Sequence, residues 1–399
     1  MKIALVEGIH PSAVAYLRDH GFSDLVSLPA DAPEAEVRAA LRGAQLAGIR
    51  SRTRLDAELF QEADGLLAVG CFCIGTDQVD LPAAAARGIP VFNAPHSNTR
   101  SVAELVIGFV IMLLRDAYRK SVQAHAGRWA KTAAGSREVR GKTLGIVGYG
   151  HIGSQLSVLA ESMGMRVIYH DIQVKLPLGN AEPVRSLDAL LERADIVTLH
   201  VPQTPATRGL LGAPELARMR RGAALINTSR GTVVDLEALA AALREGRLSG
   251  AAIDVFPEEP SSNGAPFESP LRGAESAILT PHIAGSTQEA QEKIGVEVAR
   301  KLSHYATRGA TVGSVNFPEL HLAEHAGALR ILHIHRNVPG VLRQINRIVA
   351  EAGHNIVGQH LQTLHDVGYV VLDVEDGGTA PILPALQAIP GTIRARLLA

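Results

Sequence analysis

The chain has 399 residues, of which 46% are hydrophobic and 20% are charged, and its net charge at pH 7 is −1. This length is too great for one hydrophobic core, so we expect two or three domains. A nearly neutral chain gives no electrostatic reason to bind nucleic acid or an anionic membrane. The two cysteines, Cys71 and Cys73, are too few for a disulfide framework or a cysteine-rich zinc site, and we expect no metal. The N-terminal apolar run is too short for a signal peptide and no stretch is long enough to span a membrane, so we expect a cytoplasmic protein.

The first 95 residues alternate short apolar strands with helical patterns. The sequence predicts strands at 2–6, 46–49, 66–69 and 90–93 and helices at 11–20, 34–42 and 81–87. This alternation is typical of a parallel α/β sheet, in which ligands gather at the carboxyl ends of the strands. One long helix is then predicted over 99–125.

A glycine-rich turn, Gly148-Tyr149-Gly150-His151-Ile152-Gly153, follows the strand predicted at 143–147 and precedes a helix. In a dinucleotide-binding unit Gly148 would permit the tight turn, Gly150 the close approach of a pyrophosphate, and Gly153 close packing of the helix on the strand. The helix N-terminus would offer N–H groups and a partial positive charge to the phosphates. The motif alone is weak, because a glycine-rich turn also occurs without a ligand.

Asp171 strengthens the dinucleotide interpretation. It ends the next predicted strand, ~20 residues beyond the glycines, where an acidic side chain holds the ribose hydroxyls. Its carboxylate would repel a 2′-phosphate, and no basic residue follows until Lys175, so the sequence favours NAD over NADP. The alternative is that Asp171 only terminates the strand.

Three polar residues follow later strands of the same α/β pattern, which the sequence predicts at 195–200, 224–227, 250–255 and 277–279. They are Arg230, Glu259 and His282. A histidine can accept a hydroxyl proton while hydride leaves for a nicotinamide, and a nearby carboxylate would fix its tautomer and raise its pKa. A guanidinium can bind a carboxylate through two bonds. The set suits oxidation of a 2-hydroxy acid, although spacing alone leaves structural or surface roles equally open.

The alternation of strands and helices ends after the helix predicted at 286–305. Residues 309–326 are rich in glycine and polar residues and are predicted to be a linker. The remaining 327–399 read as strand, helix, two strands, helix and strand, which is the βαββαβ plan of a ferredoxin-like domain.

Several segments together resemble the D-isomer-specific 2-hydroxyacid dehydrogenases in their bacterial three-domain form, and the likeness spans nearly the whole chain. The matching segments are GIRSRT from Gly48, VGCFCIGT from Val69, NAP at 93–95 with SNTRSVAE from Ser97, GYGHIG, INTSRGTVVD from Ile226, AAIDVFPEEP from Ala251, LTPHIAGSTQEAQ from Leu279, IHRNVPGVL from Ile334 and the closing IPGTIRARLL. The resemblance implies two Rossmann-like α/β domains and a C-terminal ACT domain. The substrate domain would be discontinuous, at 1–98 and 284–308, around an NAD domain at 99–283.

The resemblance implies NAD-dependent oxidation of 3-phospho-D-glycerate to 3-phosphohydroxypyruvate, the first step of L-serine biosynthesis. It assigns substrate binding to Arg230, tuning of the histidine to Glu259 and acid/base chemistry to His282. It also implies cofactor contacts at a wider set of positions: Gly148, Gly150, His151, Ile152, Gly153, Asp171, Thr228, Ser229 and Asp254.

Arg50 and Arg52 lie one residue apart at a strand end, so they share a face and could hold a phosphate. The alternative from the residues alone is a solvated basic edge. The resemblance favours the phosphate, and it extends the implied substrate pocket to Ser51, Gly70, Cys71 and Asn98. Lys131, two residues after the single Trp129, is another candidate basic contributor.

The ACT resemblance implies a regulatory module that binds L-serine at His335, Asn337 and Asn355, and the family assembles as homotetramers through its NAD and ACT domains. A dimerisation module without a ligand is the alternative. For the whole chain, the alternatives are a dehydrogenase for another 2-hydroxy acid, additional reduction of 2-oxoglutarate to 2-hydroxyglutarate, or a non-catalytic NAD-sensing scaffold.

Overall fold

The structure is a computed structural model that describes residues 1–260, 264–324, 328–375 and 382–398. Residues 325 and 326 of the predicted linker and residues 327, 376–381 and 399 of the predicted ACT domain lie outside the described residues. The internal contacts divide the chain into two units, Met1–Ser97 with Gln291–Ala399 and Asn98–Ala290. The finer three-domain division stays a prediction.

The N-terminal part of the first unit is a five-stranded parallel sheet with strand order β2-β1-β3-β4-β5. Its elements are β1 (Ile3–Leu5), α1 (Pro11–Asp19), β2 (Leu25–Ser27), α2 (Glu34–Arg42), β3 (Leu46–Ile49), α3 (Ala57–Glu62), β4 (Ala68–Cys71), α4 (Leu81–Ala86) and β5 (Val91–Phe92). Both faces of β1, β3 and β4 are buried, which is why these strands read as continuous apolar runs. β2 and α3 were missed in the sequence because they are short.

The second unit is built on a seven-stranded parallel sheet with strand order β12-β11-β10-β9-β6-β7-β8. Its elements are α5 (Thr99–Arg115), α6 (Ala117–His125), β6 (Thr143–Val147), α7 (His151–Ser162), β7 (Arg166–His170), β8 (Glu182–Pro183), α8 (Leu187–Arg193), β9 (Ile196–Leu199), α9 (Ala213–Arg218), β10 (Ala224–Asn227), a 3-10 turn (Gly231–Val233), α10 (Leu236–Arg244), β11 (Gly250–Ile253) and β12 (Ala277–Leu279). The strand order reverses direction at β6, and the glycine turn follows that strand. A parallel sheet binds ligands at such a switch point.

The chain then forms α11 (Gln288–Arg308) and the C-terminal domain. The domain has the predicted βαββαβ order: β13 (Ala328–Arg336), α12 (Val341–Glu351), β14 (Ile356–Leu364), β15 (Val367–Glu375), α13 (Ile382–Gln387) and β16 (Thr392–Leu398). Its strands form one antiparallel sheet in the order β14-β15-β13-β16. The fold class expected from the sequence is therefore confirmed.

The single helix predicted over 99–125 is wrong. Asp116 adopts a left-handed conformation with φ +50°, so α5 ends at Arg115 and α6 begins at Ala117. The Asp116 carboxylate also binds the Arg119 guanidinium three residues later. The hydrophobic pattern did not signal the break, because the chain contains no proline or glycine at that point.

The segment predicted as a linker is packed over its described residues. Thr311 is fully buried and its hydroxyl donates to the Pro318 carbonyl at 2.6 Å, while Phe317 lies in an apolar cluster with Tyr369 of β15. Val315 N–H donates to the Val91 carbonyl at 2.9 Å, beside the edge strand β5. Within the described ranges, none of the helices is both long and apolar enough to cross a lipid bilayer.

Candidate active site

The glycine turn after β6 meets the steric demands of a phosphate-binding loop. Gly148 has φ +91°, and a Cβ there would overlap the His200 carbonyl. A Cβ on Gly153 would overlap the Gly148 carbonyl oxygen, so α7 packs tightly on its own loop. Gly150 differs from both, because a Cβ there would meet nothing within 4 Å. Its backbone faces open space, as the approach of a ligand requires.

The residues around this turn fit a dinucleotide. Gly150 is the N-cap of α7 and provides no side-chain cap, so the N-terminus of this helix, which begins at His151, suits an anion. Thr228 follows β10 at the same edge of the sheet; its hydroxyl oxygen is buried and has no hydrogen-bond partner among the described residues. A buried hydroxyl of this kind is available to hydrogen-bond a bound cofactor. Ser229 is satisfied within the protein, because its hydroxyl donates to Asn227 Oδ1 at 2.8 Å.

Asp171 lies beyond β7 and shapes the turn. Oδ2 accepts the Tyr149 N–H at 2.8 Å, and Oδ1 accepts the Gln173 N–H at 2.8 Å. The carboxylate is therefore bonded to the glycine turn through Tyr149, which lies between Gly148 and Gly150. Each carboxylate oxygen can accept a second bond, so these contacts leave capacity for ribose hydroxyls.

Asp254, a predicted cofactor contact, is fully buried and forms hydrogen bonds within the protein. Oδ1 accepts the Thr280 hydroxyl at 2.6 Å and the Ile283 N–H at 2.9 Å, and Oδ2 accepts the Ala284 N–H at 2.9 Å. Burial raises the pKa of Asp254, and these hydrogen bonds act against that rise. All three donors flank His282, so the carboxylate fixes the loop that carries the histidine.

His282 and Glu259 form a hydrogen-bonded pair, with Nδ1 2.8 Å from Oε2. Because a carboxylate only accepts, Nδ1 carries the proton and Nε2 is left for a ligand. The bond to Glu259 raises the pKa of His282, and burial opposes it. Burial alone would raise the pKa of Glu259, but the bond and charge of His282 lower it overall. His282 also has the unusual φ of +52°, a strained conformation of the kind that clusters at functional sites.

Arg230 lies near this pair, since its charge acts on both Glu259 and His282. Nη1 donates to the Ser229 carbonyl at 2.8 Å, and Asn227 Nδ2 donates to the Arg230 carbonyl at 3.0 Å. The next residue, Gly231, packs directly on the Phe256–Pro257 backbone, where a Cβ would overlap main-chain atoms. This contact brings the arginine loop against the loop that contains Glu259. The sequence shows a glycine there but not its partner, which is distant in the chain.

Two more predicted site residues belong to the second unit. Asn98 precedes α5, and its side-chain amide lies against Gly285, where a Cβ would overlap it. The predicted Asn98 thus comes next to the His282 loop. Lys131 is exposed in the segment between α6 and β6, and its role stays a prediction.

Arg50 and Arg52, which we call the anion clamp, belong to the first unit. Their loop is held by a residue that the sequence did not single out. Glu7 follows β1 and is 6% exposed, and its carboxylate accepts the N–H groups of Arg50, Arg52 and Thr53 at 3.1, 3.1 and 2.8 Å. The Arg52 guanidinium also contacts the Ala30 carbonyl, while Ser51 is exposed between the two arginines.

Gly70 and Cys71, at the end of β4, have packing roles. A Cβ on Gly70 would meet Val298 at 2.6 Å and Leu302 at 2.9 Å, so this glycine admits α11 against the sheet. Cys71 is fully buried and its pKa is raised well above the usual value, chiefly by burial. Its side chain is part of the core, so any contact with a substrate would involve the backbone.

The three predicted effector residues do not meet within one chain. Asn337 Nδ2 donates to the His365 carbonyl at 3.2 Å, two residues before β15 begins. Asn355 Nδ2 donates to Glu375 Oε2 at 3.2 Å, at the last residue of β15. A nine-residue strand separates them by roughly 27 Å. His335, at the Asn337 end, is buried with Nδ1 unpartnered within the described ranges.

Comparison with known proteins finds matches over the whole chain. The D-isomer specific 2-hydroxyacid dehydrogenase NAD binding domain matches residues 107–284, and the AHAS small subunit-like ACT domain matches residues 331–394. The chain is 55% identical over 398 residues to D-3-phosphoglycerate dehydrogenase of Haemophilus influenzae, covering 100% of this chain and 97% of that protein. Identity to D-3-phosphoglycerate dehydrogenase of Escherichia coli (strain K12) is 54% over 400 residues, with 100% and 97% covered. The crystal structure of D-lactate dehydrogenase from Aquifex aeolicus complexed with NAD and lactic acid matches with a TM-score of 0.67 at 26% identity, over 80% of this chain and 100% of that one.

Proposed function

Because this chain belongs to the D-3-phosphoglycerate dehydrogenases, within the D-isomer-specific 2-hydroxyacid dehydrogenase family, we propose that it oxidises 3-phospho-D-glycerate to 3-phosphohydroxypyruvate with NAD. This reaction is the first step of L-serine biosynthesis. The observation that carries the proposal is the His282–Glu259 pair, at 2.8 Å and beside Arg230, in the unit that contains the glycine turn.

His282 acts as the general base. With Nδ1–H bonded to Glu259, the Nε2 lone pair accepts the proton of the substrate 2-hydroxyl. The resulting imidazolium is stabilised by the Glu259 carboxylate, and it returns the proton in the reverse direction. When bound, NAD provides the acceptor for the hydride that leaves C2 of the substrate.

Arg230 holds the substrate carboxylate. Nη1 is engaged with the Ser229 carbonyl, which orients the guanidinium plane. The guanidinium binds the carboxylate and polarises the carbonyl that forms at C2. Arg50 and Arg52 bind the phosphate, which distinguishes this substrate from unphosphorylated 2-hydroxy acids.

The C-terminal ACT domain binds an amino-acid effector, for which we propose L-serine at His335, Asn337 and Asn355. Because Asn337 and Asn355 lie at opposite ends of β15, one ligand can meet both only if two chains contribute. The effector site therefore favours association of ACT domains, and we propose a homotetramer in the cytoplasm, held by ACT-domain and NAD-domain contacts.

One assay tests this proposal: NADH oxidation with 3-phosphohydroxypyruvate or unphosphorylated hydroxypyruvate, each with and without L-serine. We expect a kcat/KM about 100-fold higher for the phosphorylated substrate, because two guanidinium groups bind the phosphate. L-Serine should lower turnover. Equal kcat/KM values for the two substrates would reject the phosphate assignment, and unchanged turnover with L-serine would reject the effector.

A further inference from the structure

Glu7 is a buried residue that bonds to the backbone of the anion clamp, Arg50 and Arg52. It immediately follows the buried β1–β3 pair, where Val6 N–H donates to the Gly48 carbonyl at 2.9 Å. It has a left-handed backbone with φ +64°. A buried carboxylate is costly unless it is hydrogen-bonded, and this backbone conformation is uncommon for a residue other than glycine. The fold maintains both features at one position.

The hydrogen bonds of Glu7 all go to the loop that carries the two arginines. Oε1 accepts Arg50 N–H at 3.1 Å and Thr53 N–H at 2.8 Å, and Oε2 accepts Arg52 N–H at 3.1 Å. The Arg52 side chain adds an ionic contact, with Nε 3.8 Å from Oε2. On the other side of the loop Gln78 Nε2 donates to the Arg50 carbonyl at 2.6 Å. Three main-chain N–H groups in four residues are thus fixed by one carboxylate.

This arrangement determines how an anion can be bound. The N–H groups of Arg50, Arg52 and Thr53 point at Glu7, so they cannot also donate to a phosphate. The guanidinium groups and Ser51 are then the groups of this loop that can hold a phosphate, and their directions depend on the backbone that Glu7 holds. Arg52 is already restrained by Glu7 and the Ala30 carbonyl, whereas the Arg50 side chain has no partner in the described part of the chain.

We propose that Glu7 is a positioning residue for recognition of the substrate phosphate, acting through the 50–53 loop and not by touching the substrate. The inference rests on the proposed function, because it concerns the same phosphate ester. Its carboxylate orders the loop before binding, so less conformational entropy is lost when the phosphate arrives.

Glu7→Gln tests the inference. The amide keeps one acceptor oxygen, but its NH₂ group must face an N–H donor of the loop. We expect kcat/KM for 3-phosphohydroxypyruvate to fall about tenfold, mainly through KM, with hydroxypyruvate affected less than about twofold. In an Arg50→Ala background the same substitution should have a smaller effect on the phosphorylated substrate. Glu36→Gln, an exposed carboxylate in the same unit, is the matched control and should change neither value.

Equal losses on the two substrates, no loss on either, or the same fold-loss with and without Arg50 would overturn the inference. If Glu7→Gln does not fold, Glu7→Asp keeps the charge, withdraws it by one methylene and should show a weaker loss with the same substrate selectivity. The wild-type enzyme separates the two proposals. Failure to prefer the phosphorylated substrate rejects the proposed function, whereas a preference that survives both Glu7 variants rejects only the role of Glu7.

Discussion

His282 is held in a strained backbone conformation by a neighbour that does no proton transfer. Its φ of +52° persists because Asp254 accepts hydrogen bonds from Thr280, Ile283 and Ala284 on both sides of it. The imidazole is then directed at Glu259 by a single 2.8 Å bond. The buried acid sets the position of the base and the half-exposed acid sets its tautomer.

The pH dependence of kcat/KM should follow His282. Oxidation needs the neutral imidazole, so activity should rise with pH through a pKa above the ordinary 6.5, because Glu259 stabilises the imidazolium. Reduction needs the imidazolium and should fall with rising pH through the same pKa. In Glu259→Gln that pKa should move to lower pH and kcat should fall about tenfold. A pH profile of Glu259→Gln that coincides with the wild-type profile would exclude this coupling.

Residues that take part in the chemistry were easier to predict from the sequence than residues that hold them in position. Arg230, Glu259 and His282 could be named because each follows a strand end and matches a family motif. Glu7 and Gly231 could not be named, because their partners, Arg50 to Thr53 and Phe256 to Pro257, are far away in the chain. Asp254 was named as a cofactor contact, although its oxygens bind the protein.

In the element formed by β6, the glycine turn and α7, two glycines are required for different reasons. Gly153 is tight because the helix must pack on the loop, whereas Gly150 faces a volume with no protein atom within 4 Å. Only the second space is available to a pyrophosphate.

Substitution of Gly150 should therefore affect NAD binding, whereas substitution of Gly153 should affect stability. Gly150→Ala should keep the wild-type Tm, because its extended backbone tolerates a Cβ, but weaken NAD binding about tenfold or more. Gly153→Ala should lower Tm by about 5 °C or more, because the Cβ overlaps the Gly148 carbonyl. Thermal unfolding and NAD titration of both variants make the comparison. Wild-type NAD affinity in Gly150→Ala would show that this space is not the pyrophosphate site.

Elements were predictable where hydrophobic periodicity was long and regular. The βαββαβ domain and the βα repeats follow directly from that pattern. The helix break at Asp116 did not, because a left-handed aspartate leaves the periodicity of α5 and α6 unchanged. The linker prediction did not include the packing of the segment after α11, because Phe317 contacts strands that the local sequence does not identify.

The whole molecule combines proposed functions that no single element provides. The second unit contains the glycine turn and the Arg230, Glu259 and His282 set, while the first contains Arg50, Arg52 and the ACT domain. The order along the chain does not show this division, because the first unit is formed from both ends of the sequence. Family motifs suggested the discontinuity, and hydrophobic periodicity alone could not.

The most direct test of the central claim is NADH formation from NAD and 3-phospho-D-glycerate by the wild-type enzyme and by His282→Gln, with NAD affinity measured on the same samples. Glutamine has nearly the size of histidine but cannot take up the hydroxyl proton. We expect kcat to fall by about 10²- to 10⁴-fold while the Kd for NAD changes less than about twofold. Turnover by His282→Gln at a rate close to that of the wild type would contradict the account.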